Sequence, residues 1–211
     1  MQKIADKHKS KLYQSKAATV TDQEMKGFTY IEHKDNVALA LDICSKLGVK
    51  RAIALSEMKK SIPDEGVLRR FTISFQEKRI FFYNALAAND PESTIMIWDA
   101  IKSQSNENEH FMIVLNTRKD RQDRAQRLVE MMALLEYDSI GLIGESLEMV
   151  VNMCAKQGIP KEKIHAIGEK STKEQYHDLC LASVPSTTII AIGNMGVGGA
   201  ELAQYFEEKH Q

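Results

Sequence analysis

From His110 to Glu208 the chain alternates, four times over, a short apolar run with a helix-length amphipathic segment. The apolar runs are His110–Leu115, Ser139–Ile143, Lys163–Ile167 and Thr187–Ile192, and the segments that follow them are Arg121–Leu135, Glu145–Gln157, Thr172–Leu181 and Ala200–Glu208. Runs such as Met112-Ile113-Val114-Leu115 and Thr188-Ile189-Ile190-Ala191-Ile192 show almost no polar alternation, as parallel strands covered by helices on both faces require. A helix beginning at Pro91 precedes the series. Before it, Arg70–Phe75 and Arg79–Ala85 flank the polar Gln76-Glu77-Lys78 as a β-hairpin does. The expected fold is a Rossmann-like α/β domain, mostly parallel, with helices on both faces of the sheet.

Upstream the pattern changes. Residues 1–32 are polar and broken, with Thr21 and Glu24 spaced for a capping box. Asn36–Cys44 reads as a strongly apolar, buried helix closed by Gly48, and a second helix runs to about Lys60. Ser61-Ile62-Pro63-Asp64-Glu65-Gly66 breaks the periodicity and marks a boundary, giving domains 1–64 and 65–211.

Charge excludes some functions. Twenty-eight Lys and Arg against 29 Asp and Glu leave a net charge of −1, so no global basic field exists for nucleic acid or an acidic membrane. Cys44, Cys154 and Cys180 form no CxxC pair and do not resemble a disulfide framework, which points to a reducing cytoplasm. Charge interrupts every short apolar run at the N-terminus, so no signal peptide can be drawn, and no window approaches a membrane span. The six histidines have no metal-ligand spacing, and neither GxSxG nor the phosphate-cradling GxxxxGK[ST] occurs.

In an open parallel sheet ligands collect beyond the carboxyl ends of the strands, and three such loops carry chemistry. Ala87-Ala88-Asn89-Asp90-Pro91-Glu92-Ser93-Thr94 opens a helix whose free N–H groups can meet an anion or ribose. The same residues also read as a plain cap, with Asn89 or Asp90 serving the amides and Pro91 first in the helix. Asn116-Thr117-Arg118-Lys119-Asp120-Arg121-Gln122-Asp123-Arg124 gathers four cations suited to phosphate oxygens. Against that, Asp120 with Arg124 and Asp123 with Arg127 have the i,i+4 spacing of a solvated helix face, which leaves Arg118 and Lys119 outside the pairs. Gly193-Asn194-Met195-Gly196-Val197-Gly198-Gly199 permits close backbone approach to a ligand, or makes a structural strand-to-helix turn. Its glycine spacing is not a dinucleotide fingerprint, which argues against an NAD enzyme.

Glu32–Leu41, Ala87–Thr94, Asn116–Arg124 and Ile192–Gly196, in that order, resemble the ligase subunit of poly-γ-glutamate synthases, a branch of the Mur ligase superfamily. The resemblance covers only that family's C-terminal half. It implies an ATP- and Mg2+-dependent amide ligase in which ATP phosphorylates a carboxylate and an amine attacks the acyl phosphate. The P-loop and main magnesium ligands would belong to a preceding ATPase domain, of which residues 1–64 would be the helical tail. By resemblance Asn36 contacts adenine, Asn89, Asp90 and Ser93 meet the adenosine end of ATP, and Arg118, Asp120, Arg121 and Arg124 reach ribose and phosphate. Gly193, Asn194 and Gly196 would stand near the incoming amino acid. Asn89 stands where many Mur ligases have histidine, and Leu86 where they have an aspartate. No catalytic residue or metal ligand is assigned to this chain. The implied partners are the N-terminal P-loop half, glutamate or polyglutamate, and membrane subunits of a polymer synthase that would hold a cytoplasmic protein at the inner face of the membrane. Alone the chain would be inactive. The alternative is a non-catalytic nucleotide-binding or docking module that partners a separate P-loop subunit.

Overall fold

A computed structural model describes residues 2–28, 32–61, 68–106 and 108–211. The chain divides into two compact units, Met1–Pro63 and Asp64–Gln211. Of the expected break, Ile62 to Gly66 lie outside the described residues.

The first unit is helical. Helix α1 (Gln2–Lys7) buries nothing, and α2 (Asp22–Met25) is opened by the expected capping box between Thr21 and Glu24. Helix α3 (Lys34–Lys46) and α4 (Arg51–Lys60) carry most of the small core: Val20, Val37, Ala38, Leu41 and Ala54. Asp35 in the first turn of α3 and Lys46 in its last complement the helix dipole. Arg51 fastens the unit by donating to both carboxylate oxygens of Glu24, at 2.7 and 3.0 Å, and to the Thr19 carbonyl at 2.8 Å. Those Arg51 hydrogen bonds hold the Glu24 carboxyl down at about 2. The expectation that α3 is buried needs correction. Val37, Ala38 and Leu41 are buried, but Leu39 is 53% and Ile43 50% exposed, because the sequence makes the helix apolar on two sides and this chain covers one.

The second unit is a six-stranded sheet of order β1-β2-β6-β3-β4-β5. Strands β1 (Arg69–Phe75) and β2 (Lys78–Asn84) form the expected hairpin and are antiparallel. Strands β3 (His110–Thr117), β4 (Ser139–Gly144), β5 (Ile164–Gly168) and β6 (Ser186–Ile192) run parallel to β2 and to one another. Every residue of β4, and all but the first of β3 and β6, is buried, as the apolar runs demanded. The hairpin strands, at the sheet's edge, alternate instead.

The helices are α5 (Pro91–Lys102), α6 (Gln122–Met132), α7 (Leu147–Lys156), α8 (Thr172–Ala182) and α9 (Gly199–Glu208). Helices α5, α6 and α7 neighbour one another, and α8 packs with α9. This division follows from handedness. Crossovers β2 to β3, β3 to β4 and β4 to β5 move one way along the sheet and β5 to β6 moves back, so right-handed connections put α8 on the opposite face. Phe206 of α9 stacks on Phe82 of β2 at a centroid distance of 3.8 Å and lies 4.8 Å from Tyr176 of α8. Trp98 of α5 packs on Phe111 of β3 at 5.5 Å.

Candidate functional site

Strands β6 and β3 are adjacent and parallel, yet the chain leaves β3 for a helix on one face and β6 for a helix on the other. The loops therefore diverge at their carboxyl ends and leave a crevice, the position where open α/β sheets take ligands. Strand β2, on the other side of β6, brings its own loop to the same edge.

Backbone and buried side chains lock these loops together. The Gly193 N–H donates to the Ala88 carbonyl at 3.2 Å. Asn116, buried at the end of β3, uses its side-chain amide to donate to the carbonyls of Asn194 at 2.7 Å and Gly196 at 2.8 Å. The Asn194 side-chain oxygen in turn accepts from the Gly196 N–H at 2.9 Å. The glycines make this closeness possible. Gly193 has φ +107°, and a Cβ there would stand 2.6 Å from the Asn116 carbonyl. A Cβ on Gly199 would stand 2.4 Å from the Asn194 carbonyl. Both glycines thus serve the approach of the protein's own backbone, and what remains between these loops is a crevice of about 10 Å³, room for about one water.

The larger space lies beside it. A cavity of about 540 Å³ is lined by Asn89, Asp90 and Pro91 from the first loop and by Lys119 to Arg124 and Arg127 from the second. That size suits a small ligand. Asp90 caps α5 by accepting from the Ser93 N–H at 2.9 Å, and this hydrogen bond holds its carboxyl below the ordinary value. The capping reading of that loop therefore describes its geometry, and the exposed Asp90 still faces the cavity. Ser93 is exposed but does not line the cavity.

The charged loop departs from the expected pairing. Among the described residues neither Asp120 with Arg124 nor Asp123 with Arg127 forms an ion pair. Helix α6 begins only at Gln122, so Asp120 lies ahead of it, where helical spacing does not apply. Arg118 takes Asp120 instead, its Nε and Nη2 each donating at 2.9 Å to one carboxylate oxygen, with Arg121 at 3.7 Å. Desolvation raises the Asp120 carboxyl, but the Arg118 hydrogen bonds and charge outweigh it and leave it below its usual value. Lys119 approaches Glu145 at 3.9 Å. Arg124 and Arg127 form no ion pair among the described residues, although the charge of Arg124 reaches Asp90. They are the cations at the cavity whose charge no ion pair among the described residues takes up. Arg127 was not among the expected contacts, yet its signal is in the sequence: Arg124 and Arg127 stand three apart, which within α6 keeps them on one side.

The structure thus gathers Asn89, Asp90, Asp120, Arg121 and Arg124 around one cavity and Gly193, Asn194 and Arg118 around the adjoining crevice. Gly196 is tied to the crevice through Asn116. Asn36 belongs to the other unit, exposed at the start of α3, where its side-chain amide donates to Glu32 at 2.9 Å. Among the described residues no three His, Cys, Asp or Glu gather as a metal ion would need. Nor, among the described residues, is any helix long and apolar enough to cross a membrane.

Residues 70–209 match the model of the poly-gamma-glutamate synthase CapB C-terminal domain. The chain is 32% identical over 183 residues to the PGA synthase CapB of Bacillus subtilis (strain 168), a match covering 86% of this chain and 46% of that protein. It therefore spans less than half of that relative's length. Among solved structures it is similar in fold to MurF from Acinetobacter baumannii, with a TM-score of 0.56 and 16% identity over 82% of this chain and 38% of that one. A murein peptide ligase from Psychrobacter arcticus gives 0.54 and 14% over 86% and 38%.

Proposed function

The chain belongs to the poly-gamma-glutamate synthase CapB C-terminal domain family, and on that premise we propose that it supplies the closing half of an ATP-dependent amide ligase that joins glutamate into a γ-linked polymer. The observation that carries this reading is the cavity at the carboxyl edge of the sheet, where Arg124 and Arg127 stand without ion-pair partners among the described residues, beside the amino end of α5. Guanidinium groups there can hold phosphate oxygens by charge-assisted hydrogen bonds, and the cavity is large enough for part of a nucleotide.

In the proposed reaction ATP phosphorylates a carboxylate, and an amine then attacks the acyl phosphate, releasing phosphate and leaving an amide. Asn89 and Asp90 meet the adenosine end, with Ser93 shaping the turn behind them. Arg121 and Arg124, joined by Arg127, hold ribose and phosphate, while Arg118 and Asp120 brace each other beside them. Gly193, Asn194 and Gly196 form the acceptor side, and Asn36 serves adenine from the helical unit, which we read as the tail of the ATPase domain. The chain's 211 residues contain no GxxxxGK[ST], so beyond these arginines little in it holds the β and γ phosphates or neutralises the charge of phosphoryl transfer. Of the carboxylates at the cavity Asp90 is engaged in a cap and Asp120 by Arg118, and among the described residues no three His, Cys, Asp or Glu gather, so the residues present do not fit a magnesium site. No step is assigned to the metal here. ATP and glutamate are cytoplasmic metabolites, which makes the cytoplasm the implied compartment.

Calorimetric titration with ATP should show weak binding, with no ADP formed when glutamate is added. Steady glutamate-dependent ADP release by the chain alone would refute its role as an incomplete half. Turnover restored by a P-loop half supports the ligase reading, whereas stable association without turnover supports the docking module.

A further inference from the structure

Successive side chains of a strand point to opposite faces of the sheet, and the β1–β2 hairpin uses its two faces differently. Phe71, Ile73, Ile80 and Phe82 are buried on the side of α9, where Phe206 stacks on Phe82. Their neighbours turn the other way: Arg70 and Thr72 of β1, and Arg79, Phe81 and Tyr83 of β2, with Arg70 opposite Tyr83 and Thr72 opposite Phe81. Helix α5 covers that second face further along, over β3, where Trp98 packs on Phe111 in the row that runs through Thr188 to Phe81. At the hairpin Phe81 and Tyr83 are only half-buried, and Arg70 and Arg79 are exposed. The guanidinium carbons of Arg70 and Arg79 stand 5.5 and 5.1 Å from the centre of the Phe81 ring, so one ring holds two cations. Arg69, on the α9 face, is taken by Glu207, whereas neither Arg70 nor Arg79 has an ion-pair partner among the described residues. The outer edge of β1 is closed at Thr72, whose N–H donates to Nδ1 of His210 at 2.9 Å and whose carbonyl accepts from the Gln211 N–H at 3.1 Å. A ligand at this hairpin therefore meets its side chains and does not add as a strand beside Thr72.

We infer that this open face of the hairpin, Arg70 and Arg79 around Phe81, is a holding surface for a polycarboxylate, the γ-linked glutamate chain itself. Charge complementarity names the occupant. Each glutamate joined through its γ-carboxyl keeps one free carboxylate, so the polymer repeats a single negative charge, and a guanidinium pairs with a carboxylate through two parallel hydrogen bonds. The protein's net charge of −1 offers such a chain no general attraction, so it has to be held locally. Two contacts to one chain reinforce each other, because the second forms at the high effective concentration set by the first. Strand β2 runs from Arg79 to Asn84 at the carboxyl edge, so a chain lying along it is kept beside the cavity between additions. A nucleic acid fits less well, since guanidinium groups already occupy the ring on which a base would stack. The inference rests on the reading of this protein as part of a glutamate-polymerising ligase, and its test is binding rather than turnover.

The full chain is titrated into a fluorescein-labelled γ-linked glutamate oligomer, without ATP, and binding is read by fluorescence anisotropy. Arg70→Ala/Arg79→Ala should bind about tenfold more weakly than wild type, while Lys161→Ala/Lys173→Ala, which removes the same charge from exposed sites elsewhere, should bind like wild type. Hydroxyl-radical oxidation of Phe81 and Tyr83 in the wild-type chain should fall several-fold when the unlabelled oligomer is added, a readout that needs no variant. No binding by the wild-type chain, an equal loss in the two double variants, or oxidation of Phe81 and Tyr83 unchanged by the oligomer would each overturn the proposal. Binding lost in Arg124→Ala/Arg127→Ala but kept in Arg70→Ala/Arg79→Ala would put the polymer in the cavity and overturn it as well. So would a single-stranded DNA of matching charge that binds more tightly and displaces the oligomer, which would assign the surface to nucleic acid. Binding as expected but no glutamate-dependent ADP release when a P-loop half is added leaves the holding surface standing and removes the ligase reading. Release without hairpin binding removes only the surface.

Discussion

Asn116, at the end of β3, holds the loop after β6 by donating its side-chain amide to the carbonyl of Asn194 at 2.7 Å and to that of Gly196 at 2.8 Å. One buried side chain thus joins two of the three loops at the carboxyl edge. Asn116→Ala leaves two carbonyls without their donor and should cost about 2–4 kcal/mol, read as a lower midpoint in chemical denaturation. Asn116→Asp should be worse at neutral pH, since a carboxylate would face two carbonyl oxygens. Its folded pKa would be raised above the unfolded value, so the variant should recover stability as pH falls to 4 and lose it as pH rises. Equal stability of Asn116→Asp and wild type at pH 7 would contradict the assigned contacts.

Phe206 lies flat on Phe82 at 3.8 Å and is fully buried, so α9 is held to the hairpin side of the sheet by aromatic packing. Phe206→Ala should destabilise the second unit by about 3–5 kcal/mol. Trp98, the chain's one tryptophan, is buried against Phe111 and reports on that unfolding by fluorescence. A loss below about 1 kcal/mol would mean that the site collapses without a cavity.

Arg118 and Arg124 should behave differently although both lie in the charged loop. Arg124→Ala removes a cation that has no ion-pair partner among the described residues, and triphosphate binding should weaken about tenfold. Arg118→Ala should act indirectly, by leaving Asp120 at the cavity wall with Arg121, at 3.7 Å, in place of its two Arg118 hydrogen bonds, so that its negative charge is less compensated. Binding lost in Arg118→Ala should then return in Arg118→Ala/Asp120→Asn. Calorimetry on the four proteins decides it, and failure of the double variant to recover would give Arg118 a direct contact with the anion.

The three cysteines are free, and burial separates them. Burial pushes the thiol of Cys154 up to about 11 and that of Cys180 up to about 12, while Cys44 is only half-buried. At pH 8 iodoacetamide should modify Cys44 alone in the folded chain, with one adduct by mass spectrometry and three after unfolding. Because both buried thiols have raised pKa values, the stability they contribute is complete below about pH 9 and declines as pH climbs towards 12. Labelling of Cys154 at a rate near that of Cys44 would mean that α7 opens locally.

Much of the molecule was legible because it rests on local pattern. The apolar runs of β3, β4 and β6 announced strands covered on both faces, Thr21 and Glu24 announced a cap, and Asp90 with Pro91 announced the start of α5. These signals need only side-chain periodicity and nearby hydrogen bonds, which a linear sequence carries. The expected loops meet at one edge because β2, β6 and β3 are neighbours and parallel, an order that follows from the crossovers and not from any one segment.

Partner choice belonged to the tertiary structure. Asp120 had three arginines within reach along the chain, Arg118, Arg121 and Arg124, and spacing favoured Arg124. The late start of α6 gave it to Arg118, leaving Arg124 and Arg127 to the cavity. The same holds for α3, whose apolar residues were plain in the sequence while the covered side depended on what else was present to pack on it. Sequence determines which groups can be buried or paired, because that is a property of each side chain and its near neighbours. Which of them are buried or paired is settled by the competition among all segments for the same space.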